Sequence, residues 1–137
     1  MGMLEDIGKY LDAESTALTL GTNLFLDRLG DTPDLAVAVV QRVGQSPAMV
    51  FSRDLPAYER NRVELQVRSA STAPETAKNL SETLWATMIK VRNQTLNGAS
   101  TGYTYMTIDA EVNPSLARRD AQGRSVYSCT YKVWPIR

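Results

Sequence analysis

Three carboxylates, Asp27, Asp31 and Asp34, form the closest acidic group in the sequence, and oxygen ligands held in a turn are the type that Ca²⁺ or Mg²⁺ takes. The spacing lacks the glycine and the closing glutamate of a calcium-binding helix–loop–helix. The expected state is therefore a solvated turn in which Asp side chains cap their own backbone. Little else is available for acid–base work. The chain has no histidine, which removes the commonest general base and the commonest metal ligand. Its one cysteine, Cys129, excludes a CxxC centre and an internal disulfide, and reads as a buried, inert thiol inside a strand. Neither a GxxxxGK[ST] phosphate loop nor a GxGxxG motif occurs. No catalytic, metal or cofactor residue emerges.

Three weaker signals each have an ordinary reading. Arg118-Arg119 lies between turn signals and has the charge to touch nucleic acid, but two arginines suit a solvated loop equally well. The sequons Asn79-Leu80-Ser81 and Asn93-Gln94-Thr95 fall on an expected helix, where glycosylation is not expected. Tyr103, Tyr105, Tyr127, Tyr131 and Trp134 gather in the last two expected strands. Base stacking is open to them, while cross-strand packing is the usual role of such residues.

Composition narrows the field further. At 137 residues the chain suits one domain spanning 1–137, with 43% apolar and 22% charged residues, as in an ordinary globular protein. Fifteen basic and fifteen acidic residues cancel, so the excess positive charge of a strong nucleic-acid binder is missing. No apolar run approaches the roughly 18 residues of a membrane span. Glu5 and Asp6 stand where a signal peptide would be basic, so a cytosolic chain with no membrane contact is expected.

The elements follow from periodicity. Leu4, Ile7 and Leu11 predict a short helix over Gly2–Glu14. Leu24-Phe25-Leu26 and Leu35–Val43 read as strands on either side of a Gly30–Asp34 turn. Ala48–Phe51 is expected to extend or pair with the second of these. Ser52–Asn61 reads as a polar loop. Val63, Leu65 and Val67 then alternate with Glu64, Gln66 and Arg68, the period-2 pattern of a half-buried strand. Thr72 and Glu75 fit a capping box with Pro74 in the first turn, opening a long helix. Its stripe is Ala77, Leu80, Leu84, Met88 and Val91, widened by Trp85, Ile89 and Leu96, with a stop at Asn97-Gly98. Tyr103–Val112 alternates again, with Tyr105 and Ile108 on opposite sides, until Asn113-Pro114 breaks it. A turn at Ala121–Arg124 leads into a last strand, Val126–Val133. The fold expected is α+β: a mainly antiparallel sheet with one long and one short helix packed on it.

Several of these tracts, taken in order, resemble the tail-terminator proteins of long-tailed bacteriophages, a group also labelled minor capsid or neck proteins. Asn23–Val43, NLFLDRLGDTPDLAVAVVQRV, matches the family's leucine-rich strand, acidic-proline turn and apolar strand. Glu59–Ser69, ERNRVELQVRS, sits where the family has a basic, alternating strand, and Ala73–Ala77 matches its helix start. Asp120–Arg124 matches the turn before the final strand, so the likeness runs from about Leu4 to Trp134. The resemblance implies a homohexameric ring in the virion neck, assembled in the host cytoplasm. Such a ring would cap the tail tube, stop its polymerisation and meet the head-completion (stopper) protein. It implies no catalytic residues, no cofactor, and DNA passing through the lumen without specific binding. Two segments, Ser52–Asn61 and Asn97–Gly102, are the expected interface, with Arg53, Asp54, Leu55, Tyr58, Glu59, Arg60, Asn97 and Ser100 as its residues. A monomeric ligand- or protein-binding α+β module, with a pocket between helix and sheet, is the alternative; a carboxylate-dependent hydrolase is a third.

Overall fold

The alternating tract Val63–Arg68 becomes part of a central strand of the sheet, Tyr58–Arg68. A computed structural model describes residues 3–41, 46–49, 58–96 and 104–136. Its elements are α1 (Met3–Glu14), β1 (Leu24–Leu26), β2 (Ala36–Gln41), β3 (Ser46–Met49), β4 (Tyr58–Arg68), α2 (Pro74–Met88), β5 (Arg92–Gln94), β6 (Thr104–Arg119) and β7 (Ser125–Ile136). The strands run in the order β1-β2-β4-β7-β6-β5, with β3 paired to β4 off that path. Among the described strands only β1 and β2 are parallel; the other pairs are antiparallel. Both helices pack on one face of this sheet, so the α+β expectation holds.

The core sits between helices and sheet. Ile7 and Leu11 of α1 and Ala77, Leu84 and Met88 of α2 lose all contact with solvent over Val63, Leu65, Val67, Cys129, Tyr131 and Val133. Each fully buried Leu, Met or Ile contributes about 1.5–3 kcal/mol. The helices are also tied to each other, since the Tyr10 hydroxyl donates to the Thr87 carbonyl at 3.0 Å. No helix among the described residues is long and apolar enough to cross a membrane.

The long helix is shorter than its apolar stripe. It ends at Met88, with the Ile89 N–H donating to the Trp85 carbonyl. Val91 and Leu96 are buried as the stripe required, but from an extended segment. Arg92 and Gln94 pair with Thr107 and Tyr105 of β6, and Asn93 takes a left-handed φ of 48°. A spacing of threes and fours is compatible with both outcomes, and pairing with a free strand decided this one. Asn93 therefore lies in β5 and not on a helix.

The helix start also differs in mechanism. Pro74 is in the first turn as expected, but Ala73 is the N-cap and no side chain caps it, so the Thr72–Glu75 box does not form. Ser69 performs the task from outside: its Oγ donates to the Ala73 carbonyl (2.8 Å) and accepts the Ala77 N–H (3.2 Å). A free helical N–H is thus satisfied by the last residue before the turn.

Over Val63–Arg68 the strand β4 is covered on both faces, not half-buried. Val63, Leu65 and Val67 face the helices, while Glu64 and Arg68 are covered on the other side. Ser128 Oγ and Gln66 Nε2 donate to the Glu64 carboxylate at 2.6 and 3.0 Å. β3 pairs with β4 beyond the stretch that β2 covers, and so extends β2 along β4 instead of pairing with it. Two other strand readings are corrected. β6 runs straight through Asn113-Pro114, and Tyr105 and Ile108 lie on the same side, both fully buried. The cause is a set of β-bulges. At four points β6 advances one more residue than β7 does, which is how its 16 residues pair along the 12 of β7. Each bulge flips the alternation, so period 2 cannot be read across it.

Candidate assembly surfaces

Chemistry-bearing residues meet at one end of the sheet, where β4 stops, β7 starts and the β1–β2 connection passes over. Asp120 organises the β6–β7 turn: its carboxylate accepts the N–H of Gln122 (3.0 Å) and of Arg124 (2.9 Å) and the Arg124 guanidinium (2.7 Å). Gly123 supplies the positive φ of 78° that the turn needs. Arg124 then reaches the acidic turn, donating to the Asp31 carbonyl (2.8 Å) and the Asp34 carboxylate (3.1 Å). Arg68 donates beside it to the carbonyls of Asp34 (3.1 Å) and Pro33 (2.7 Å).

The acidic group is thus bound from within the chain. Asp34 is paired with an arginine, Asp31 uses its carbonyl, and Asp27 lies apart at a φ of 83°. Among the described residues no cluster of His, Cys, Asp and Glu has the arrangement of a metal site. Partial desolvation works to raise the Asp120 pKa, but the Arg124 N–H and guanidinium and the Gln122 N–H outweigh it and hold the carboxyl below its ordinary value. Desolvation likewise lowers Arg124, and its bonds to Asp120 and Asp34 more than restore it. Arg68 is held below its usual value by burial and by the charge of Arg124.

The far part of β6 forms the second surface. β5 covers only the stretch from Tyr105 to Thr107, so β6 continues to Arg119 with no further strand on its outer edge among the described residues. Val112 and Leu116 are 51% and 44% exposed there, and Arg118 and Arg119 are exposed beside them. Arg118-Arg119 is therefore a strand end and not a loop. The bulge at Val112 turns its carbonyl to accept the Cys129 thiol at 2.7 Å. Burial pushes that thiol's pKa up, which favours the protonated, unreactive form expected of Cys129. Of the tyrosines, Tyr105 and Tyr131 are core residues, and Tyr131 lies opposite Ala110 of β6.

A third surface lies at the opposite edge. Leu20, Gly21, Leu24, Phe25, Leu26, Arg28 and Gly30 line an open, mostly apolar pocket of about 380 Å³ beside β1. The helix–sheet layer, where a ligand-binding module would hold its pocket, is instead filled by Leu84, Met88, Ile108 and Tyr131, all fully buried.

The residues expected at the interface are not brought together by what is described. Arg53, Asp54, Leu55, Asn97 and Ser100 lie outside the described residues. Tyr58, Glu59 and Arg60 open β4 and do not belong to a loop; Tyr58 is paired with Met49 and Ile136, and Arg60 with Ser46. The exposed arm of β6 was missed. Its signal is visible afterwards in Glu111–Arg119, where apolar Val112 and Leu116 stand four apart among polar residues around a proline.

A curled, mainly antiparallel sheet with two helices on one face, and apolar side chains displayed at both edges, is the build of a protein that assembles with others. Residues 4–133 match the family of bacteriophage tail terminator proteins. The chain belongs to that family, and so to the structural proteins of the virion. Among solved structures it is similar to a chain of a structure titled "Virion of native gene transfer agent (GTA) particle", with a TM-score of 0.66 at 13% identity, covering 99% of this chain and 96% of that one. That likeness is one of fold. No curated protein matches the chain.

Proposed function

We propose that copies of this chain close into a hexameric ring on the end of the tail tube. The ring stops tube polymerisation and offers the surface to which the head-completion protein joins. The observation that carries this reading is the family match across nearly the whole chain, residues 4–133. The fold is in keeping with it, since the exposed β6 arm and the β1-edge pocket give each copy more than one surface for neighbours. On this reading residues 1–137 act as one unit, no cofactor or turnover is involved, and DNA crosses the lumen without specific contact. A net charge of zero suits a conduit that must not grip its cargo. Closed symmetry lets a head-to-tail contact repeat without growing a filament.

The tube or neighbour contact is assigned to Ser52–Asn61 together with Asn97 and Ser100. The test has two parts. Electron microscopy of the purified protein, alone and with tail tubes, should show rings at tube ends. In the parent phage, a null allele should give tails of uncontrolled length, and Tyr58→Ala with Arg60→Glu should give the same or heads that fail to join. Normal tail length in the null would remove the terminator role. Normal length in the double variant would remove only the assignment of this segment.

A further inference from the structure

We infer that the exposed β6 side chains Val112 and Leu116 of one copy seat in the β1-edge pocket of the next. The contact rests on the ring reading above and names its subunit interface. Its two halves lie on opposite edges of one sheet: β1 is the end strand on one side, and the uncovered length of β6 forms the other. One half offers apolar side chains that are about half exposed. The other offers a pocket of about 380 Å³ walled by Leu20, Leu24, Phe25 and Leu26. A surface that fits a different surface of the same molecule makes a head-to-tail contact, which is the kind that closes into a ring.

Charge fits the same pairing. Among the described residues, the guanidinium groups of Arg118 and Arg119 have no partner, and neither do Arg28 at the pocket rim or the carboxylate of Asp27 beside it. On β6 the order is an acid (Glu111), the two apolar residues, then two arginines; Arg28 at the rim is offered to the acid, which its own chain already pairs with Arg62 at 2.9 Å, and Asp27, next to Arg28 in sequence, is offered to the arginines. Asp27 and the Arg-Arg pair thus acquire a use that the chain's own fold does not give them. The bulges matter as well. A bulged edge resists continuous strand addition, so the joint is made by side chains and the route to an open sheet is blocked.

The experiment is sedimentation over a range of concentrations, with circular dichroism melts to confirm folding. Val112→Asp and Leu116→Asp change exposed positions, so both should melt like the parent while self-association weakens about tenfold or more. Phe25→Asp and the exposed-site Arg28→Glu should weaken it from the pocket side. Mixing Leu116→Asp with Arg28→Glu, or with folded Phe25→Asp, pairs one intact β6 with one intact pocket. Dimers in the mixture, with each variant alone monomeric, are the expected result. Rings from Leu116→Asp like those of the parent overturn this contact and leave the ring reading standing. Rings that persist but no longer bind tube ends also overturn it, and assign β6 to the tube protein. A parent chain that never associates, alone or on tube ends, overturns the ring reading and this contact together.

Discussion

Tyr105 donates its phenolic hydrogen to the carboxylate of Asp6 across 2.8 Å, with both residues fully buried. The two are 99 positions apart, so this bond fastens the first turn of α1 to the inner side of β6. A buried carboxylate is tolerated only where donors meet it. Tyr105→Phe removes one donor and leaves the ring packed. The expected loss is about 1–3 kcal/mol, the cost of leaving a buried polar group short of a partner. Urea unfolding measures it, and an unchanged midpoint would show that Asp6 does not depend on the hydroxyl.

Ser69 and Thr72 make opposite claims on the start of α2. Ser69→Ala removes the Oγ that accepts the Ala77 N–H and should cost about 1 kcal/mol, within the range for lost helix caps. Thr72→Ala should change stability by a few tenths of a kcal/mol at most, as ordinary surface substitutions do. Thermal melts of the two variants side by side decide it; a larger loss at Thr72 would restore the sequence-based capping box.

Asp120 predicts a pH dependence with a definite sign. Its carboxyl pKa is lower in the folded chain than its ordinary value, so folding favours the ionised form. That contribution is complete above the unfolded value of about 3.9 and is lost as pH falls through the lowered folded value. Asp120→Asn should therefore destabilise the protein at pH 7 and remove part of the stability change seen below about pH 4. Melting curves from pH 7 to pH 2 provide the comparison. Parallel curves for the variant and the parent would mean that Asp120 is not a source of the acid sensitivity.

Leu84 tests the core that both helices share. Leu84→Ala should cost about 2–5 kcal/mol through lost transfer energy and the cavity left behind. Leu84→Asp places an unpaired charge in that space, against a total stability of about 5–15 kcal/mol for a typical domain, and should not fold. A folded Leu84→Asp chain with a parental melting temperature would mean that α2 does not bury this face.

The parts of the fold legible in the sequence are those whose causes are local. The stripe from Leu4 to Leu11, the turn chemistry at Gly30–Asp34 and Asp120–Arg124, and the alternation at Val63–Arg68 each depend on a few adjacent residues. Their order along the chain is also what makes the family visible. The tertiary structure decided what depends on a partner. Val91 and Leu96 could be buried from a helix or from an extended segment, and the free edge of β6 selected the second. Glu64 and Arg68 looked like the wet side of a strand until Ser128, Gln66 and the Pro33–Asp34 carbonyls were brought to them. The bulges of β6 arise from its register against β7, and they turn Tyr105 and Ile108 inward while leaving Val112 and Leu116 outside. Periodicity records which residues are apolar; whether an apolar side chain ends in the core or on an edge is settled only when the neighbouring strand takes its place.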